Sequence, residues 1–291
     1  MAQVGVEELK GGGLGNWCAL VFFAMRNWFF GWTFFLPSFA FNLLGMFTSA
    51  AIFYLMGQLV GPGVEDHVAQ YGIGYGTYII TGVMFNMVMG TTMDGYHQAC
   101  MQSYWATQFD VYLQHPGGVS ALLTGGVVMR YIMALVNTLI YMAVGSWLFG
   151  VSVAIANLFD VLAVLVLAVA ALTGLGLAGA STFTLLNAKQ WGSNPVNWVV
   201  GFGVTLLSGV YFPPAVLPAW LQRIGEWLPQ THVLHAARLC LSGRANLTDP
   251  AIVAEVVFLL KFTAVALPLG VALFAVGMRK AQRDGTLTRW T

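Results

Sequence analysis

Charge is what this sequence has least of. Its 12 Lys and Arg and 11 Asp and Glu make up 8% of 291 residues, against about 25% in an ordinary soluble domain. With so few charges and 58% hydrophobic residues, no water-facing surface can be assembled, which excludes a soluble enzyme, a fibrous chain and a disordered tail. A net charge of +1 without a clustered Lys/Arg surface excludes a nucleic-acid partner, because neutralising phosphates takes such a surface. Cysteine is also scarce. Cys18, Cys100 and Cys240 lie far apart without C-x-x-C spacing and read as buried free thiols. A phosphate-binding loop is missing as well: none of Lys10, Lys189, Lys261 or Lys280 is preceded by Gly and followed by Ser or Thr.

Long apolar runs take the place of charge. A bilayer core about 30 Å thick needs about 20 helical residues per crossing, and six runs qualify: 34–57, 75–93, 122–149, 158–186, 196–212 and 251–278. Val161 to Ala171 is apolar at every position, without the period-two alternation of a membrane barrel strand. The expected fold is therefore an all-α integral membrane protein with six transmembrane helices in a single domain. Residues 16–31, with Trp17, Trp28 and Trp32, read as a helix lying in the membrane interface. A cleaved signal peptide is not expected, since Glu7 and Glu8 precede an apolar run much longer than a signal core.

Orientation follows from the basic residues. Six crossings put both termini on one side, with Lys10, Arg26, Lys189, Arg279, Lys280, Arg283 and Arg289, leaving Arg223, Arg238 and Arg244 opposite. Cytoplasmic flanks are the basic ones. A multi-pass protein of the cell (plasma or inner) membrane with both termini cytoplasmic is expected.

Two connections look like more than loops. The inner one contains a predicted short helix over 104–116, stopped by Pro116 before Gly117 and Gly118. Phe109, Tyr112 and Leu113 fall at i, i+3 and i+4 as an apolar ridge, while Gln108 and Asp110 point elsewhere. The ridge suits either a partner protein or the underside of the chain's own bundle. The outer connection, 213–248, is cut by Pro213, Pro214, Pro218 and Pro229 into helices predicted at Ala219 to Leu228 and Thr231 to Leu241. Trp220, Ile224 and Trp227 share one face. Both pieces are too short to span, so they read as an external re-entrant hairpin protected by protein.

At these two segments the sequence resembles the membrane subunits of ABC-2 type exporters, a family that moves drugs, nodulation factors, polysaccharides and lipids. Thr107 to Pro116, TQFDVYLQHP, is similar to the family's cytoplasmic pattern G-T-L-E-x-L-L-x-T-P, keeping Asp110, Phe109, Leu113 and Pro116 while lacking its glycine and two threonines. The more specific match is the external motif, carried by Ser208, Gly209, Phe212, Pro213, Leu217, Pro218, Trp220, Leu221, Pro229, Thr231, His232 and Arg238. The resemblance implies an interfacial connecting helix, a coupling helix at 104–116 and an external re-entrant pair. It also implies a coupling surface of Gln108, Phe109, Asp110, Tyr112 and Leu113 with Arg26. The chain would be a permease without an ATPase site of its own and without a bound cofactor. ATP and Mg would belong to a separate ATPase subunit, and a second permease copy or homologue would complete the path for an amphiphilic drug, lipid or glycan-like substrate. The alternative is a self-sufficient secondary transporter or channel, for which the matched broken helices of paired repeats are missing.

Ionisable side chains at membrane depth are costly and draw functional hypotheses. Arg130 sits near the inner end of its run, where its stem can reach headgroups. Lys261 lies about 15 Å along the last run, and an interhelical ion pair or hydrogen bond inside the bundle is expected for it rather than a proton relay. His232 and His235 could offer two imidazoles to a metal, but no third ligand stands near them in sequence, so no metal is expected. Asn246, Leu247 and Thr248 match a glycosylation sequon. Gly174, Gly176, Ala178 and Ala180 recur at the spacing of close helix packing.

Overall fold

A computed structural model of the chain describes residues 14–33, 67–149, 157–185 and 206–287, with isolated helical positions between 40 and 55 and at 201 and 203. Most of the run at 34–57 and the first part of that at 196–212 lie outside the described residues, as do Lys10, Lys189 and Arg289. The elements are α1 (Leu14–Thr33), α2 (Tyr75–Trp105), α3 (Phe109–Leu113), α4 (Gly118–Phe149), α5 (Leu158–Leu185), α6 (Ala219–Gly225), α7 (Pro229–Leu241) and α8 (Pro250–Arg283), with short 3-10 turns at Ala69–Tyr71 and Pro214–Val216. No strand occurs among the described residues.

Three of these helices carry stretches long and apolar enough to cross a bilayer: Gly118–Ala143, Phe159–Leu185 and Pro250–Arg283. The described residues are all-helical, and these three helices give the chain the character of a membrane protein. α2 has the length, 31 residues, but with Asp94, His97 and several Thr and Gln it is less apolar than those three. It also runs twelve positions past the expected end at Met93. Polar residues end an apolar run without ending a helix, which stops where the backbone itself turns. Here that turn is at Thr107, whose φ is 55°. α8 starts with Pro250 in its first turn behind Asp249 and ends with Lys280 and Arg283 in its last turn, a start and finish that suit the missing proline donor and the negative end of the helix dipole.

α5 is the hub, packing against α8, α2 and α7, while α4 packs against α2 and α1 and carries α3 at its start. Between helices in lipid there is no hydrophobic drive, so association rests on close backbone approach. At Gly174 of α5 a Cβ would run into the Ala266 backbone of α8, and at Gly270 of α8 it would meet the Gly174 carbonyl. Gly176 abuts the Thr92 carbonyl of α2. Two buried clusters are the largest among the described residues. One joins Phe85, Met89, Leu172, Val233, Leu234 and Leu259 near α7; the other joins Leu20, Cys100, Phe109, Tyr112, Phe183 and Met278 near α3.

Candidate functional site

At the α3 end, the apolar ridge points inward. Phe109 and Tyr112 are each only 1% exposed. Phe109 stacks on Phe183 of α5 with ring centroids 6.2 Å apart, and Tyr112 meets Phe23 of α1 at 6.2 Å. Of the two options open to the ridge, the underside of the bundle is the one realised, so Phe109 and Tyr112 are not free to touch a partner; burying two rings outweighs displaying them. Burial pushes the Tyr112 phenol up to about 12. Asn27 donates to the Gln108 side chain at 3.2 Å, and the Arg26 guanidinium lies 5.5 Å from the Phe23 ring. Gln108 thus meets α1 through Asn27, while Arg26 lies beside Phe23 on α1 itself. Beside the Gln108 contact a cavity of about 210 Å³ is lined by Asn27, Trp28, Gln102, Ser103, Gln108 and Tyr112. The exposed side of this end comprises Trp105, Thr107, Val111 and Gln114, with Asp110 and Leu113 half-buried.

The other end is built around Arg238 of α7. Its guanidinium is fully buried and donates to the carbonyls of Gly209 at 2.8 Å, Tyr78 at 3.0 Å and Val210 at 3.3 Å. It also lies 3.5 Å from the Tyr78 ring centroid and 6.0 Å from that of Tyr71. Tyr78 adds a hydroxyl donated to the Gly209 carbonyl at 2.8 Å. Gly209 and Val210 lie just past the helical positions Leu206 and Leu207, and the cation gives their buried carbonyls a donor. Gly209 takes φ 82°, a backbone state that glycine adopts without cost. Burial pulls the Arg238 guanidinium below its ordinary value, with Tyr78 and Tyr71 opposing the fall. Burial likewise holds the Tyr71 phenol up at about 12.

The rest of the external motif surrounds this cap. Pro213 and Pro229 are buried, Phe212 and Leu217 half-buried, and the Leu217 carbonyl accepts from Gln222 at 2.7 Å. Pro218 precedes α6. α7 is enclosed by protein, but α6 and the turn after it are not: Trp220 of α6 is 64% exposed and Trp227, just beyond it, 79%. The expected protection of the hairpin therefore holds for α7 alone, because α6 turns its apolar face away from the bundle. No protein-family model and no curated protein matches the chain.

One acidic group at this end escaped the sequence reading. Glu255, in the second turn of α8, receives His232 on one carboxylate oxygen and His235 on the other, the latter at 2.9 Å. The sequence signal was a single acid in an apolar run; only the α7–α8 turn makes it a neighbour of two imidazoles. The described residues contain no group of three or more His, Cys, Asp or Glu able to hold a metal ion.

Arg130 does not extend freely to headgroups. Its guanidinium lies 5.5 Å from the Trp28 ring of α1, and its Nε has no hydrogen-bond partner among the described residues. Lys261 corrects the expectation of an interhelical partner: it is exposed on α8 and makes no ion pair among the described residues. It lies on the helix face turned from α5, beside the exposed Leu260. Cys18 is also exposed rather than buried, unlike Cys100 and Cys240.

Proposed function

We propose that the chain is the membrane permease subunit of an ATP-driven exporter of the ABC-2 type. It moves an amphiphilic drug, lipid or glycan-like substrate outward with a separate ATPase subunit and a second permease copy or homologue. Six crossings with both termini in the cytoplasm belong to the same reading, as do α1 as connecting helix, α3 as coupling helix and α6–α7 as external pair.

The observation that carries it is the seating of α3. Phe109 on Phe183 and Tyr112 on Phe23 join this five-residue helix to α5 and α1 at once. A displacement applied to its exposed side is delivered to both helices, because packed rings shift together rather than deform. The ATPase then contacts Trp105, Thr107 and Val111, while Phe109 and Tyr112 act as inward anchors. The absence of a phosphate-binding loop in the sequence fits a subunit driven in trans.

The test is co-purification with an ATPase subunit from the same source, followed by nucleotide-dependent export from reconstituted vesicles. Val111→Asp should abolish ATPase association and export while the purified chain melts as the parent does. Uphill export by the chain alone, without nucleotide or companion, overturns the reading.

A further inference from the structure

The contact between His232, His235 and Glu255 has no part in the seating of α3 that carries the exporter reading, although His232 belongs to the external motif. It joins three elements. His232 projects from α7, its Nε2 is 2.8 Å from the Glu226 carbonyl at the end of α6, and its Nδ1 meets a carboxylate oxygen of Glu255 on α8. A carbonyl only accepts, so Nε2 carries a hydrogen. Nδ1 faces a carboxylate, which needs one further proton between the two atoms. His235 Nδ1 donates to the second Glu255 oxygen at 2.9 Å. The Phe258 ring stacks on His232 with centroids 3.7 Å apart, a position that suits a cationic imidazole.

We propose that His232, His235 and Glu255 form a proton-binding latch that fastens α6 and α7 to the first turns of α8 and releases them when the shared proton leaves to water. With the proton in place every polar atom of the His232 ring faces a partner of opposite character. Without it the ring keeps one N–H, so one nitrogen lone pair faces either the Glu255 carboxylate or the Glu226 carbonyl, and one of the two contacts becomes repulsive whichever tautomer remains. His232 and Glu255 each retain 18% of their side-chain surface, so the medium reaches the site.

The surrounding charges favour the same proton. From the end of α6, Glu226 adds a second negative group near His232. From α8 there is Glu255. The Tyr71 ring packs edge-on to His235 at 5.7 Å and separates it from the buried Arg238. α2 contributes Tyr78, which lies on Arg238, and α5 contributes Asp160, near Cys240 at the far end of α7. Burial opposes a charged His232, but its hydrogen bonds to Glu255 and Glu226 and their negative charge overcome that, raising it above its ordinary 6.5. Raised in the folded state, it contributes stability that is complete below about pH 6.5 and is lost as pH climbs through the folded value. The latch closes in acid and opens in alkali, independently of whether the chain exports anything.

Cys240, fully buried on α7, reports the release. The full-length chain carrying Cys18→Ser and Cys100→Ser, so that Cys240 is the thiol read, is labelled in lipid nanodiscs with a maleimide from about pH 6 to about pH 9. Each rate is divided by that of the same chain unfolded in detergent at the same pH, which cancels the thiol's own titration. Protection should fall progressively across the range, as loss of a proton held more tightly in the folded state requires. His232→Gln should give low protection with no pH dependence, and Glu255→Gln should move the fall to lower pH. If one variant does not fold, the other and the parent curve decide. Protection that is flat in the parent, or a variant curve that follows the parent's, overturns the latch.

Discussion

Arg238 sits where a cation is least at home, with carbonyl oxygens and two phenol rings around it and no carboxylate among the described residues. Its companions are the Gly209 carbonyl, shared with the Tyr78 hydroxyl, and the Val210 carbonyl. Arg238→Ala should cost about 3–5 kcal/mol, the usual penalty for breaking a buried charged contact, and Arg238→Lys should recover part of it; thermal melts in detergent measure both. Gly82→Ala strikes the same spot from α2, since its Cβ would meet the Val210 carbonyl and the Arg238 guanidinium. It should lower the melting temperature, whereas Gly90→Ala, with nothing within 4 Å, should not. In the sequence Arg238 is legible only as a motif position. Its bond to Tyr78 joins residues 160 apart, and Glu255 lies 23 positions from His232. No periodicity within one helix reports on such pairs.

Proline made the external helices legible. Pro218 and Pro229 stand at the starts of α6 and α7, where a missing N–H and a fixed φ do no harm. The continuation of α2 to Trp105 was hidden because Asp94, His97 and Gln98 mimic a loop by composition while offering no backbone reason to stop. For α3 the spacing of Phe109, Tyr112 and Leu113 revealed a face but could not tell inside from outside, a choice made by Phe183 and Phe23 on distant helices. Phe109→Ala should therefore act first on stability, by about 3–5 kcal/mol, seen as a lower melt and a poorer yield of folded protein. A variant that melts like the parent would place Phe109 at the surface after all.

Membrane character was readable from composition alone, because 8% charge cannot clothe a soluble body. Which helices touch was not, except along the small-residue stripe of α5, where Gly174 and Gly176 turned out to face α8 and α2 respectively. Gly270→Leu should force α8 away from α5. With the side chain aimed at the Gly174 backbone, a loss of roughly 1–3 kcal/mol is expected from overpacking, checked by melting and by protease sensitivity of α8. That seam also limits the routes open to any solute. Where two main chains lie against each other, a crevice has no width to widen, and cargo of any size must find its corridor along another flank. α5 and α8 would travel as a splinted pair, and a search for a transported molecule belongs on the side of α5 away from α8.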